Sequence, residues 1–202
     1  MSVLSDLQVS AGALEKLRLL QSLVEKWNPK INLVARSTLP DLWARHIEDS
    51  AFLCVHAPAA RLWADFGAGG GFPGLVIATI LQDQGADTRI VLVESDLRKA
   101  TFLREAARQK GLSVDIHSER VEALPPLMAD VVSARALATL DELCDLAHRH
   151  LATGGICLFP KGERFAEEVE AARRSWEFDL EAPENPGHKG SALLVLRNLR
   201  RV

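Results

Sequence analysis

The sequence predicts an α/β protein with a doubly wound sheet of seven strands, an antiparallel last strand and an N-terminal helical extension. Three observations support this fold class. Apolar residues recur at helical spacing before residue 61, whereas short apolar runs alternate with amphipathic helices after it. The last two apolar runs are separated only by "PENPGHKGS", which is too short for a crossover helix, so these two strands must pair antiparallel.

Residues 1–60 are interpreted as the helical extension. One face of "ALEKLRLLQSLVEKW" (13–27) carries the apolar residues Leu14, Leu17, Leu20, Leu23, Val24 and Trp27. The stretch "NPKINLVARS" (28–37) breaks this pattern. Thr38 and Asp41 resemble a capping box, after which a second helix is predicted through "DLWARHIEDSAFLCVH" (41–56). Its inward face is predicted to hold Leu42, Trp43, Ile47, Ala51 and Cys54.

Residues 61–202 are interpreted as the α/β core, within a single domain of residues 1–202. Strands are predicted at "LWADF", "RIVLVES", "SVDIHS", "ADVVSARA", "GGICLFPKG", "WEFDLEA" and "ALLVLRNL". Helices are predicted at "PGLVIATILQDQ", "DLRKATFLREAARQKG", "TLDELCDLAHRHL" and "ERFAEEVEAARRS". Strands that alternate with helices predict a parallel, doubly wound sheet.

The composition is typical of a globular protein and argues against disulfide-rich, zinc-stabilised, secreted and membrane-spanning proteins. The chain has 202 residues, 48% apolar content and a net charge of −3, which is ordinary for a globular protein. Three well-separated cysteines and no C-x-x-C motif argue against a disulfide framework or structural zinc, and no metal site is predicted. The first residues, "MSVLSDLQVS", do not resemble a signal peptide, and no apolar run could span a bilayer. A cytoplasmic monomer is predicted.

The stretch "ADFGAGGGFPG" (64–74) predicts a ligand site in which glycines let the backbone approach the ligand closely. Counted from Gly69, it fits the dinucleotide fingerprint G-x-G-x-x-G. Counted from Gly67, with Asp65 in front, it fits the D-x-G-x-G-x-G pattern of S-adenosylmethionine sites. Glu94 at the end of the second strand could accept both ribose hydroxyls, but both cofactors use an acid there.

Two further segments lie at the predicted carboxyl edge of the sheet, where ligands bind. The backbone of Val121 and Glu122 could meet an adenine edge, and Arg135 could hold a carboxylate or a substrate oxygen. The alternative roles are a charged loop and a salt bridge at a helix entry. The segment "SARAL" (133–137) lacks both the D/N-P-P-Y run of adenine-type amine methylases and the Pro-Cys nucleophile of pyrimidine C5 methylases.

Four segments together resemble one family. They are "KWNPKINLVA" (26–35), "RHIEDS" (45–50), "DFGAGGGFPGL" (65–75) and "SARALATLDEL" (133–143), followed by "FPKG" (159–162). The chain resembles the bacterial small-subunit ribosomal RNA guanine-N7 methyltransferase family, also called glucose-inhibited division protein B, over nearly its whole length. The predicted sheet resembles the Rossmann-like class I methyltransferase fold. Ile31 and Phe72 depart from the usual family residues, and the hairpin turn "GHKGS" is less like the family.

The resemblance implies S-adenosylmethionine as cofactor and a guanine in the decoding region of 16S ribosomal RNA, alone or in the small ribosomal subunit, as substrate. The predicted cofactor contacts are Gly67, Gly69, Phe72, Glu94, Val121, Glu122 and Arg135. The candidates for RNA contact are Asn32, Arg45, His46 and Lys161. No catalytic residue is assigned, because guanine N7 has a free lone pair and orientation alone can lower the barrier by roughly 7 to 11 kcal/mol.

Three other hypotheses stay open at this stage. The net charge of −3 is compatible with a methyltransferase that acts on a small molecule or a protein. The second register of the glycines is compatible with a dinucleotide-dependent oxidoreductase. An RNA-binding module without enzyme activity is less compatible, since it would not need Glu94 and the glycines together.

Overall fold

A computed structural model describes residues 2–57, 59–185 and 190–202. The seven α-helices of these ranges are α1 (Val3–Asp6), α2 (Ala11–Ile31), α3 (Asp49–His56), α4 (Gly74–Asp83), α5 (Leu97–Lys110), α6 (Leu140–His150) and α7 (Phe165–Ala172). The seven strands are β1 (Leu62–Phe66), β2 (Arg89–Val93), β3 (Asp115–His117), β4 (Ala129–Ala134), β5 (Leu151–Lys161), β6 (Trp176–Glu181) and β7 (Ala192–Arg201).

All strands join one sheet in the order β3-β2-β1-β4-β5-β7-β6. The first five strands are parallel neighbours, and β7 runs antiparallel between β5 and β6. The predicted doubly wound sheet with an antiparallel last strand is confirmed. Most of the turn "GHKGS" between β6 and β7 lies outside the described residues.

The sheet is buried on both faces. One apolar cluster joins the N-terminal helices, α4 and α5 to the sheet, with Leu17, Trp63, Ile77 and Phe102 among its members. The other joins α6 and α7 to the opposite face, with Phe66, Phe159 and Trp176 among its members. The order of the strands reverses between β1 and β4, so a crevice opens at their carboxyl ends.

The helical extension differs from its prediction in two places. Helix α2 continues through Pro29 to Ile31, whereas the sequence predicted a break at 28–37. A local hydrogen bond supports the helix end, since the buried Asn28 accepts at Oδ1 from the N–H of Val34 (2.9 Å). A tertiary contact adds to it, because the ring of Trp27 packs against that of Phe102 in α5 with centroids 5.7 Å apart. Asn32 then ends the helix in the left-handed conformation (φ 52°), which asparagine tolerates.

The predicted second helix is divided. Residues Arg36–Asp41 form a 3-10 helix, Trp43–Glu48 a π-helix, and only Asp49–His56 an α-helix. The predicted capping box of Thr38 and Asp41 is wrong, since Thr38 lies within the 3-10 helix and its hydroxyl donates to the carbonyl of Ala35 (2.8 Å). The predicted inward face is confirmed, since Leu42, Ile47 and Ala51 are buried in one apolar cluster and the half-buried Trp43 and Cys54 pack against it.

The described ranges contain neither a membrane-spanning helix nor a metal-binding cluster. None of the helices there is long and apolar enough to cross a membrane. No group of three or more histidine, cysteine, aspartate or glutamate side chains in these ranges could hold a metal ion.

Lys110 is a buried lysine whose burial should make the free energy of unfolding depend on pH. Its ammonium is 2% exposed and donates to the carbonyl of Leu75 at 3.4 Å. Burial, with a smaller contribution from Lys16, lowers the pKa of Lys110 to about 7. The unfolded chain, in which lysine titrates near pH 10.4, therefore binds more protons between about pH 7 and 10. Unfolding free energy should consequently rise with pH across that window.

Lys110→Met should remove this rise and increase the unfolding free energy at pH 7 by about 2 kcal/mol. Urea unfolding of both proteins at pH 7 and pH 9.5 measures the difference. Lys30→Met, at an exposed position of α2, is the control and should change neither value. Equal destabilisation by Lys110→Met at both pH values would contradict the prediction.

Candidate functional site

Two cavities lie side by side at the carboxyl edge of the parallel strands. The first, here called the cleft, has a volume of about 800 Å³ and lies beside Gly67, Glu94, Val121 and Glu122. The second, here called the mouth, has a volume of about 910 Å³ and lies beside Arg45, Arg135, Lys161 and Arg164. The two cavities share the wall formed by Ala136, Leu137, Ala138 and Asp141. Both volumes fall within the range of roughly 300 to 1,000 Å³ that is usual for ligand sites.

The glycine loop meets the cleft at Gly67, whereas Gly69 borders neither cavity, so cofactor contact by Gly69 stays a prediction. Gly67 and Gly69 adopt φ angles of 67° and 50°, a region that strains residues with a side chain. A Cβ atom on Gly67 would lie 2.8 Å from Cδ1 of Leu137, so the wall between the cavities could not pack there against any larger residue. The loop is joined to β2 by the N–H of Gly67, which donates to the carbonyl of Val93 (2.8 Å).

Asp65 supports the glycine loop from below. Its carboxylate is fully buried and accepts hydrogen bonds from the N–H of Gly74 (3.0 Å) and the hydroxyl of Ser133 (2.7 Å). The indole N–H of Trp63 donates to the same hydroxyl (3.0 Å). Burial raises the pKa of Asp65 to about 7, although both hydrogen bonds oppose this shift. Asp65 therefore positions the loop and the start of α4 and does not line the cleft.

Glu94 links the glycine loop to the start of α5. One carboxylate oxygen accepts from the N–H of Gly69 (2.9 Å) and the other from the N–H of Asp96 (2.8 Å). The side chain is 7% exposed and borders the cleft. A carboxylate offers about four acceptor positions, so two remain for hydroxyl groups in the cleft.

The turn at Val121–Ala123 forms the opposite wall of the cleft. It is a single 3-10 turn that brings Val121 and Glu122 to the cavity. Two side chains at the end of α6 hold it. The carbonyl of Val121 accepts from Nε2 of His150 (3.1 Å), and the carbonyl of Leu124 accepts from Nη2 of Arg149 (3.0 Å).

Arg135 borders the mouth directly after β4. Its Nη2 donates to the carbonyl of Arg45 in the π-helix (2.5 Å) and lies 3.4 Å from Oδ2 of Asp49. Nη1 is buried and has no hydrogen-bond partner within the described residues. Burial lowers the pKa of Arg135, and Asp49 opposes this shift. An unsatisfied N–H group of a charged side chain at a cavity is available to an anionic or carbonyl oxygen of a ligand.

Lys161 is largely buried and forms hydrogen bonds and an ion pair within the protein. Its ammonium donates to the carbonyl of Ala138 (2.8 Å) and to Glu168 (2.7 Å), and its side chain is 10% exposed. The same Glu168 oxygen accepts from the N–H of Leu140 at the start of α6 (2.9 Å). Lys161 therefore anchors the wall between the two cavities, and an additional RNA contact stays a prediction.

The other predicted site residues lie outside both cavities. Phe72 is 6% exposed, and its ring centroid lies 5.0 Å from that of His46. His46 is 8% exposed and its Nε2 lies 2.8 Å from the hydroxyl of Thr38. Asn32 is an exposed helix cap next to Leu33, whose backbone packs against the glycine loop. Cofactor contact by Phe72 and RNA contact by His46 or Asn32 stay predictions.

The shared wall contains two residues that the sequence analysis did not identify. Leu137 is 41% exposed and follows Ala136, whose φ of 52° is unusual for alanine. Asp141 borders both cavities, and its Oδ1 is buried without a partner in the described part of the chain. Asp141 lies in the first turn of α6, a helix that the sequence predicted from Thr139 onward and that begins with a capping box of Thr139 and Glu142.

The cysteines do not supply a nucleophile. Burial raises the pKa of Cys144 to about 12 and that of Cys157 well above its ordinary value. Thiolates are therefore scarce at neutral pH. The ring of His148, four residues after Cys144, lies 5.4 Å from that of Trp176.

Comparisons with known proteins agree with this arrangement. The family model described as "GidB: rRNA small subunit methyltransferase G" matches residues 13–192. A "Ribosomal RNA small subunit methyltransferase G" from Cereibacter sphaeroides is 50% identical over 202 residues, which cover 100% of this chain and 98% of the relative.

Solved structures share the fold at low identity. A SAM-dependent methyltransferase from Aquifex aeolicus superposes with a TM-score of 0.61 and 11% identity, covering 78% of this chain and 93% of that one. TYW2 of M. jannaschii in complex with AdoMet gives a TM-score of 0.58 and 16% identity, covering 78% of this chain and 76% of that one. The seven-stranded class I methyltransferase fold is thereby confirmed.

Proposed function

Because this chain belongs to the rRNA small subunit methyltransferase G family, we propose that it methylates N7 of a guanine in the decoding region of 16S ribosomal RNA. The chain is an S-adenosylmethionine-dependent methyltransferase for RNA of the small ribosomal subunit. The observation that carries the finer proposal is the Nη1 of Arg135, buried and unpaired within the described residues, at the mouth, a cavity that shares one wall with the cofactor cleft.

The residues of the cleft fit this cofactor. Gly67 has no room for a side chain, because a Cβ would lie 2.8 Å from Leu137, so only its backbone borders the cleft. Glu94 retains acceptor positions for ribose hydroxyls. Val121 and Glu122 present a backbone edge to an adenine ring. Arg135 borders the neighbouring mouth and not the cleft, and we propose that its Nη1, unpaired in the described part of the chain, holds the carboxylate of the cofactor from there. S-adenosylmethionine supplies, when bound, a methyl group that is already activated on a sulfonium centre.

A guanine N7 target explains why the site needs no nucleophile. N7 has a free lone pair and carries no proton, so the enzyme has only to align it with the methyl group and exclude water. The methylated base gains a positive charge, which a carboxylate in the shared wall would stabilise. Asp141 is placed for this role, since it borders both cavities.

Two arginines at the mouth are the candidates for phosphate contact. The cations Arg45, Arg135, Lys161 and Arg164 lie around this cavity together with the carboxylates of Asp49, Asp141, Glu163, Glu167 and Glu168. Arg135 and Lys161 pair with Asp49 and Glu168, so the proposal concerns Arg45 and Arg164. Individual arginines can bind phosphates even where the net charge of the protein is −3. We propose phosphate contacts for Arg45 and Arg164 and an anchoring role for Lys161.

The test is methyl transfer to small ribosomal subunits that lack this modification. Tritiated S-adenosylmethionine should label their RNA, and borohydride followed by aniline should cleave that RNA at a single guanine, because this treatment breaks chains at N7-methylguanine. A matched RNA that carries 7-deazaguanine at the same position should accept no methyl group, since a C–H group replaces N7.

Other outcomes separate the remaining hypotheses. Label that survives nuclease digestion would indicate a protein or small-molecule substrate, and labelled RNA that resists aniline cleavage would exclude N7. Tight calorimetric binding of NAD(P)H without S-adenosylmethionine would exclude a methyltransferase. We also propose that the protein acts as a monomer in the cytoplasm, where small subunits are located; light scattering on the purified protein tests the monomer.

A further inference from the structure

We infer that His150 is a positioning residue that directs one backbone N–H into the adenine side of the cofactor cleft. His150 is the last residue of α6, lies behind the cleft wall and is fully buried. It borders neither cavity, so any influence on a ligand must act through the turn that it contacts. The inference rests on the proposed contact between this turn and the adenine ring.

The hydrogen bond defines the tautomer of His150. Nε2 lies 3.1 Å from the carbonyl oxygen of Val121, and a carbonyl oxygen can only accept. Nε2 therefore carries the proton. Nδ1 is buried and has no hydrogen-bond partner among residues that the structure describes. Burial lowers the pKa of His150, which agrees with a neutral ring.

The geometry of the peptide group relates the hydrogen bond at Val121 to the direction of the N–H of Glu122. The carbonyl of Val121 and the N–H of Glu122 belong to one planar, trans peptide unit, so they point in opposite directions. A carbonyl held toward α6 therefore directs the N–H of Glu122 away from α6. Glu122 borders the cleft, and its N–H is inferred to point toward that cavity. The first N–H groups of a helix, including a 3-10 turn, have no acceptor within the helix, so this donor remains available.

Several neighbours hold this arrangement in place. The carbonyl of Val121 also accepts from the N–H of Leu124 (3.2 Å), which uses both of its lone pairs. The ring of Phe66 meets the His150 ring edge to face, with centroids 5.4 Å apart. Because Phe66 immediately precedes Gly67, His150 connects the adenine turn with the start of the glycine loop.

If the N–H of Glu122 points at the base of the cofactor, the protein should prefer adenine to hypoxanthine. Adenine has only acceptors among its ring nitrogens, whereas hypoxanthine carries a proton on N1. A backbone N–H directed at N1 therefore favours S-adenosylhomocysteine over S-inosylhomocysteine. If His150 controls the direction of this N–H, its loss should reduce the preference and not merely the affinity.

The experiment measures calorimetric binding of these two compounds to wild-type, His150→Leu and His150→Gln proteins. His150→Leu should bind S-adenosylhomocysteine roughly tenfold more weakly, and its preference for adenine should shrink by a similar factor. His150→Gln retains a donor and should stay within about threefold of wild type. His148→Leu removes an imidazole from the same helix and should change neither value.

Two results would overturn the inference. His150→Leu could bind both compounds as the wild type does, or it could weaken both by one common factor, as a general loss of stability would. Should His150→Leu fail to fold, His150→Asn replaces it, because the shorter amide does not reach the carbonyl of Val121. No RNA is present in these measurements, so they stay valid if the proposed guanine-N7 target is wrong.

Discussion

Arg135→Met is expected to reduce methyl transfer to small ribosomal subunits at least about 100-fold and to lower the unfolding free energy by about 3 kcal/mol. The activity falls because the mouth loses the guanidinium that lies beside the shared wall. The stability falls because Asp49, which is 4% exposed, loses the cation 3.4 Å from its carboxylate. Single-turnover transfer and urea unfolding measure the two effects.

A double variant separates these two roles of Arg135. Combining Arg135→Met with Asp49→Asn removes the buried charge and should recover most of the stability without recovering activity. Arg164→Met, at an exposed position around the same mouth, is the control and should leave stability unchanged. Recovery of activity in the double variant would mean that Arg135 serves only to neutralise Asp49.

Glu94→Ala should weaken the binding of S-adenosylhomocysteine at least about 100-fold, measured by calorimetry. The variant loses the proposed acceptor for the ribose hydroxyls and also the hydrogen bonds to the N–H groups of Gly69 and Asp96. Glu94→Gln should be intermediate, since an amide has only one accepting oxygen and one of these two N–H groups then loses its partner.

The matched control for Glu94 is Asp145→Asn. Asp145 borders the same cleft, but its carboxylate pairs with Arg201 at 3.4 Å on the outer rim. The control should bind the cofactor product as the wild type does. Wild-type affinity in Glu94→Ala would exclude the ribose role, whereas equal losses in both variants would indicate a general effect of negative charge in the cleft.

Features encoded by neighbouring residues were predictable. Apolar runs alternate with amphipathic helices because side chains are buried periodically, which is a local effect. The succession of strands and helices along the chain therefore follows from the sequence. The glycines after β1 are local too, because only they tolerate the φ angles of this turn. Glu94 was identified for the same reason, since it ends a recognisable strand at the ligand edge.

Features created by distant residues were not predictable. Helix α2 passes Pro29, and the next segment forms 3-10 and π turns, where contacts with the rest of the protein outweigh local preference. The carbonyl of Arg45 in that π-helix accepts from Arg135, 90 residues away. A local pattern contains no information about such a partner.

The fold class, the position of the glycine loop and the family follow from the amino-acid sequence, because they depend on periodicity and on contiguous motifs. Which side chains reach a ligand depends instead on how distant elements pack. This packing makes Asp65 and Lys161 supports of the site, buries Phe72 and His46, and brings Leu137 and Asp141 between two cavities. The physical reason is that burial and hydrogen bonding are shared among elements far apart in the chain, so a residue's role depends on partners that its neighbours do not reveal.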